Sequence, residues 1–156
     1  MKGDATKAGL IDETSQRARL TVAYTGAQWA FRTQADATRS ASQQTSNGYM
    51  LTQSATWSGL RGLQATVLGG YFHTDDYASR IYTYERGLLY AFSFPAYFGE
   101  GLHYALFLRA DMGQRWMLIA KLSVTDYFDR DHISSGLQQI DRSSKADLEL
   151  QLRLKL

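Results

Sequence analysis

Leu148-Glu149-Leu150-Gln151-Leu152-Arg153-Leu154-Lys155-Leu156 ends the chain, with a leucine at every even position and a charged or amide side chain at every odd one. A helix, advancing about 100° per residue, would scatter those leucines around its circumference; an extended strand sets them all on one face. The stretch predicts a β-strand with one apolar and one polar face. The same period of two recurs upstream. Ala18, Leu20, Val22 and Tyr24 alternate with Arg17, Arg19, Thr21, Ala23 and Thr25. Trp29, Phe31, Thr33, Ala35 and Ala37 oppose Gln28, Ala30, Arg32, Gln34 and Asp36. Tyr49, Leu51, Gln53, Ala55 and Trp57 form a third row, and Leu63, Ala65, Val67, Gly69 and Tyr71 a fourth. Tyr104, Leu106, Leu108 and Ala110 oppose His103, Phe107, Arg109 and Asp111, and Trp116, Leu118, Ala120, Leu122 and Val124 oppose Arg115, Met117, Ile119, Lys121 and Ser123. The first-named row of each segment carries no charge.

Residues 25–27, 58–62 and 111–114 read as tight hairpin turns. Between them lie longer polar stretches at 38–48, 74–80 and 128–143. For short and long connections to keep alternating, residues 81–101 have to supply two strands, bent at Glu85-Arg86-Gly87, with Pro95 near the end of the second, where a missing N–H is tolerated. That makes nine strands; taken as one strand, the segment makes eight. Residues 1–16 show no such pattern and read as a flexible N-terminal segment before a β domain over 17–156. They hold no apolar run followed by a cleavage pattern, so an export signal would have been removed or lie upstream.

At 156 residues the chain has room for one domain with a real core. Lys and Arg number 17 against 15 Asp and Glu, and a net charge of +2 does not point to nucleic acid as a partner. The absence of cysteine excludes a disulfide scaffold, a thiolate metal site and a cysteine nucleophile. No apolar run is long enough for a transmembrane helix.

Alternation alone does not separate a soluble barrel, apolar inside, from a membrane barrel, apolar outside. Three features point to the membrane. The strands are about 10 residues long, the length a tilted strand needs to cross hydrocarbon, whereas globular strands average 5 or 6. Trp29, Trp57 and Trp116 each stand close to a tight turn on the uncharged row, and Tyr71 marks the opposite end of its strand, as an aromatic girdle would. The opposing rows carry Thr, Ser, Gln and charges of both signs, as a wet interior would. The fold expected is an all-β, antiparallel, up-and-down transmembrane β-barrel of eight strands, or the C-terminal eight or nine strands of a larger one, in a bacterial outer membrane. Its lumen would be lined by Arg17, Arg19, Arg32, Asp36, His103, Arg109, Lys121, Glu149, Arg153 and Lys155. Counting nine strands back from the last makes the first run the same way as the last, so upstream sequence or another chain would complete the barrel. The rival is a soluble β-barrel holding a small apolar ligand among its leucines.

Residues 81–101 (IYTYERGLLYAFSFPAYFGEG) and 127–137 (YFDRDHISSGL), followed by the leucine-alternating end, resemble a known barrel. The likeness is to the C-terminal barrel of Gram-negative outer-membrane proteins that carry a helix-hairpin-helix region upstream, and it covers residues 60–156. The helix-hairpin-helix motif itself is missing here, so a DNA-related role does not follow. The resemblance implies an outer-membrane barrel; its last residue, Leu156, stands where many such barrels end in an aromatic.

No motif of nucleophilic, metal-dependent or phosphate-cradling chemistry occurs. Asp126, Asp129 and Asp131, with the His132 imidazole beside them, gather oxygens that a calcium ion could use, although Arg130 can compensate the same charges as a solvated loop. Asp75-Asp76 and Asp131-His132 could face each other above a barrel and activate water, as an outer-membrane hydrolase would; acidic loop tips are the plainer reading. His103, Arg109 and Asp111 on one strand face suggest a lumenal charge network. The function expected is therefore structural, anchoring or transport, with outer-membrane lipid as partner, no cofactor and no catalysis.

Overall fold

The computed structural model describes residues 14–42, 44–91, 94–134 and 136–155. The strands are β1 (Thr14–Thr25), β2 (Trp29–Ala41), β3 (Thr45–Leu60), β4 (Leu63–Thr74), β5 (Ile81–Tyr82), β6 (Ala96–Tyr97), β7 (Glu100–Met112), β8 (Trp116–Tyr127) and β9 (Ser144–Leu154). Seven of them form one antiparallel up-and-down sheet in the order β1-β2-β3-β4-β7-β8-β9, and β5 and β6 pair with each other outside it. The count corrects the expected eight or nine. Residues 81–101 contribute only the two-residue strands β5 and β6 and the start of β7. Two-residue pieces with Gly87, Pro95 and Gly99 around them do not sustain a ladder across the sheet. The expected long loop at 38–48 is also corrected, since β2 runs to Ala41 and β3 starts at Thr45. The expected N-terminal segment lies outside the described residues up to position 13, and Thr14, Ser15 and Gln16 already belong to β1. Leu156 lies outside them too.

The main strands are 11 to 16 residues long. Twelve residues at about 3.4 Å each span about 40 Å, which at a tilt of about 45° covers close to 29 Å, the thickness of a hydrocarbon core. Three short connections (26–28, 61–62 and 113–115) fall at one end of the sheet; the other end has one short connection, between Ala41 and Thr45, and the two long ones, between Thr74 and Glu100 and between Tyr127 and Ser144. Gly62, with φ of +80°, makes the two-residue turn between β3 and β4 possible.

The register sorts every strand into two rows. Arg17, Arg19, Arg32, Asp36, His103, Arg109, Lys121, Glu149 and Arg153 all fall on one face, as the pairs Arg19 with Asp36, Ala23 with Arg32 and Lys121 with Glu149 require. Lys155 follows the end of β9, its backbone N–H donating to the Arg115 carbonyl. The other face carries Leu20, Val22, Phe31, Leu51, Val67, Leu106, Leu118, Leu122, Leu148, Leu150 and Leu152, all exposed. Apolar side chains thus point away from the polar row, which is the covered one across β2 to β8, while both rows of β1 and most of β9 stay exposed.

What covers the polar row is the connection between β4 and β7, of which residues 75–91 and 94–99 are described, folded back across the polar face as a strap. It meets all seven strands. The Tyr82 carbonyl accepts from Arg19 of β1 at 2.9 Å, and Thr83 Oγ1 from Gln34 of β2 at 3.2 Å. Ser79 bonds Ser46 of β3 at 2.7 Å, and Arg86 donates to Gln64 of β4 at 2.6 Å. Glu85 meets His103 of β7 and Lys121 of β8, and the Leu89 N–H donates to Gln151 of β9 at 2.7 Å. The apolar core lies between strap and sheet: Ile81 and Tyr97 of the strap close on Met50 and Phe72, with the Phe72 and Tyr97 rings 5.2 Å apart.

Gly101, at the point where the strap rejoins the sheet, permits this close approach. A Cβ there would stand 2.2 Å from the Asp126 carbonyl oxygen and 2.9 Å from the Phe72 ring. The first neighbour is backbone in a paired strand and cannot swing aside. Gly101→Ala is expected to destabilise the fold by about 1–3 kcal/mol, an overpacking cost. A lowered midpoint in a heat-unfolding series read on a gel would report it.

Candidate functional site

The strap-covered face holds a cluster of buried polar and charged side chains. Glu85 sits at its centre, 4% exposed. Its Oε1 accepts from the Tyr97 hydroxyl and lies 2.9 Å from His103 Nε2, while Oε2 lies 3.0 Å from Lys121 Nζ. Lys121 also reaches Glu149 at 3.6 Å. His103 Nδ1 shares a hydrogen bond of 2.8 Å with Thr125 Oγ1. At Nε2 the approach to Glu85 is close but out of line, so no well-aligned hydrogen bond forms there and the contact is electrostatic. Burial pushes the Glu85 carboxyl up, but His103, Tyr97 and Lys121 together pull harder and bring it down to about 2. Burial, with the Glu85 charge beside it, pushes the Tyr97 hydroxyl up, so it stays protonated and donating.

Thr125, His103 and Glu85 make a hydroxyl–imidazole–carboxylate series, which in a hydrolase would activate the hydroxyl. Here Glu85 is also held by an ammonium and a phenol, so its charge is matched by a fixed cation. That chemistry fixes the strap to β7 and β8. The sequence placed His103 with Arg109 and Asp111; the structure keeps Arg109 with Asp111, at 3.1 Å and 3.2 Å, and gives His103 to the strap.

The other lumen candidates separate into paired and unpaired. Arg19 donates to Asp36 at 2.5 Å. Arg17 lies over the Tyr82 ring and Arg153 over the Tyr90 ring, 5.5 Å and 5.9 Å from their centroids. Arg32 donates to the Gln34 carbonyl oxygen at 3.1 Å. Among the described residues neither Arg32 nor Arg86 meets a carboxylate. Apart from Asp75 and Asp76 at its start, strap residues were not among the sequence candidates, although one signal was present: Met50, Phe72, Phe107 and Ile119 stand on the polar row, where bare water would not favour them.

The aromatic candidates all fall on the outer face. Trp29 and Trp57 are register partners beside the tight-turn end, and Trp29 stacks on Phe31 at 5.9 Å. Trp116 begins β8 at the same end, and Tyr71 lies toward the opposite end, 6.1 Å from Tyr49.

Of the loop candidates, Asp75, Asp76, Asp126 and Asp129 are engaged locally. Asp76 accepts from Ser46, Ala78 and Ser79, which hold its carboxyl below the usual range, the Ser46 hydroxyl most. Asp75 accepts from the Asn47 N–H at 2.8 Å, with His73 at 3.8 Å. Arg130 holds Asp129 at 2.7 Å and lowers its pKa, while Asp126 accepts from Ser144. No group of three His, Cys, Asp or Glu able to hold a metal occurs among the described residues. Comparison with family models, curated proteins and solved structures returned no match.

Proposed function

We propose that this chain is β-barrel sheet of a bacterial outer membrane with a structural, anchoring role and no catalysis, its interior occupied by its own strap. One observation carries the reading: the apolar row of every main strand is exposed while a strap that bonds to all seven strands covers the polar row from β2 to β8. Water would reward the opposite arrangement, and lipid rewards this one. The tryptophans near the tight-turn end and the strand lengths agree with it, as does the resemblance of residues 60–156 to the helix-hairpin-helix-associated barrels. A soluble barrel around an apolar ligand would need the leucine rows inside.

Lipid also bears on the sheet edges. Unpaired backbone N–H and C=O groups are not tolerated in hydrocarbon, yet β1 and β9 are edges. Seven alternating strands make β1 and β9 run the same way, so antiparallel closure takes an odd number of further strands. Upstream sequence or another chain would supply them; two like-oriented copies would meet in parallel pairs at both seams. A single added strand gives an eight-stranded barrel filled by side chains, and several would open room for transport.

The experiment is to refold the chain in detergent and follow it on an unheated gel, then in a planar bilayer. The expected results are β-type circular dichroism, a band whose migration changes on boiling, and no steady conductance. A monomer that stays folded in buffer without detergent would overturn the membrane reading. A stable conductance would replace the anchor with a pore.

A further inference from the structure

Beneath the strap, toward the tight-turn end, a cavity of about 280 Å³ opens between β1 to β4 and residues 83–86. Two guanidinium groups, Arg32 of β2 and Arg86 of the strap, line it, and no carboxylate does. The carboxylates of this face are taken elsewhere: Asp36 by Arg19, Asp111 by Arg109, Glu85 by Lys121. Arg32 and Arg86 each donate to one glutamine carbonyl, Gln34 and Gln64 respectively. Both arginines are exposed, and Arg86 also lies over the Phe107 ring, 5.6 Å from its centroid. A guanidinium has five N–H donors in a planar fork, so most donors of both face water, which an anion entering the cavity can replace. The wall between them is a row of hydroxyls, Thr52, Ser54, Thr56 and Thr66, with the Thr56 and Thr66 oxygens 2.9 Å apart. Hydroxyls rotate to donate to whatever anion arrives. Gln34 turns its oxygen to Arg32 and its NH2 to Asp36 and Thr83, so that amide fixes the Arg32 fork in place.

We propose that Arg32 and Arg86, one from the sheet and one from the strap, form a binding site for a small soluble oxyanion of the phosphate type. Forked guanidinium donors match a tetrahedral oxyanion two oxygens at a time, which spherical chloride does not exploit. At a share of about 30 Å³ per water, the cavity holds such an ion with several waters. Being on the strap-covered face, it is reached from the aqueous end of the sheet and not from the apolar outer face. The site is independent of what bathes that outer face. Phosphate bound there bridges strap and sheet, so it also adds to the hold on the strap.

The test is a calorimetric titration of the full-length folded chain in detergent with inorganic phosphate, at ionic strength held constant with chloride. Saturable binding is expected, weakened at least tenfold in Arg32→Gln and in Arg86→Gln. Arg32→Lys, which keeps the charge and loses the fork, should lie between. Arg115→Gln, in the exposed β7–β8 turn, should bind as the parent does. The heat-shifted gel band checks folding of each variant, and Arg32→Lys carries the decision if the glutamine variants misfold. No saturable binding by the folded parent overturns the proposal. So does undiminished binding in the Arg32 and Arg86 variants, or an equal loss in Arg115→Gln, which would mark a general charge effect.

Discussion

A chain carrying both Leu118→Arg and Leu122→Arg is expected to fail to enter the outer membrane. Both leucines stand on the outer row of β8, flanked in register by Ala110 and Leu106 of β7 and by Leu152 and Leu148 of β9. Leu118 stands near the tight-turn end of β8 and Leu122 about halfway along it, 39% and 44% exposed, with apolar neighbours on both sides; the carboxylates on that row of β7 and β8, Glu100 and Asp126, stand at the opposite end. An arginine on the lipid face of a barrel strand costs about 2–4 kcal/mol near the bilayer midplane. Leu122→Arg carries that cost in full and Leu118→Arg, two residues from Trp116 and nearer the interface, a smaller one, so the pair costs about 3–5 kcal/mol, a large share of the stability of a typical domain. Loss of the outer-membrane fraction and of the heat-shifted band, with synthesis unchanged, is the expected readout. If water bathes that face instead, the two arginines relieve an exposed apolar patch and the variant becomes more soluble. That outcome would sink the membrane proposal.

The alternation of the long strands was legible because each leucine or tyrosine on the outer row of the sheet answers to one rule, period two, that needs no knowledge of the partner strand. Register followed from the tight turns, so nine of the ten lumen candidates share one face. The strap was not legible in the same way. Ile81, Thr83 and Glu85 do alternate, and all three are buried, but the segment read as two strands only because short and long connections had to keep alternating. Beyond the short β5–β6 pairing, they are buried against side chains of the sheet rather than within its ladder. Periodicity reports which side is covered, not what covers it. The mismatch that betrays the strap is distributed: Phe72 and Met50 on the polar row want an apolar cover, and His103 and Lys121 want a carboxylate that no facing strand position supplies in full. Ile81, Tyr97 and Glu85 answer those needs from far along the chain, and no local pattern links them.

Glu85→Ala is expected to release the strap. Removing the carboxylate leaves Lys121 and His103, both about 4% exposed, with only the half-exposed Glu149 at 3.6 Å as a counter-charge. Breaking a buried pair by deleting one partner costs about 3–5 kcal/mol, because the remaining charge is stranded. The Tyr97 hydroxyl loses its acceptor as well. Since the seven-stranded ladder does not pass through Glu85, the loss should fall on the strap first. Limited proteolysis should cut within residues 75–99 of the variant while the parent resists. Replacing both sides, Glu85→Met with Lys121→Met, should recover much of the loss, since no charge is then stranded. The pH dependence carries the sign. The folded carboxyl titrates near 2 against a usual 4.5, so the stabilisation is full above about pH 4.5 and drains away as pH falls toward 2. The difference of about 2.5 units is worth roughly 3 kcal/mol. Asp76 and Asp129 are also lowered and add slope in acid, so the decisive quantity is the parent minus Glu85→Gln. That difference in unfolding midpoint should shrink between pH 4.5 and 2.5. A constant difference across the window would mean that Glu85 acts through shape alone and that its charge does not hold the strap.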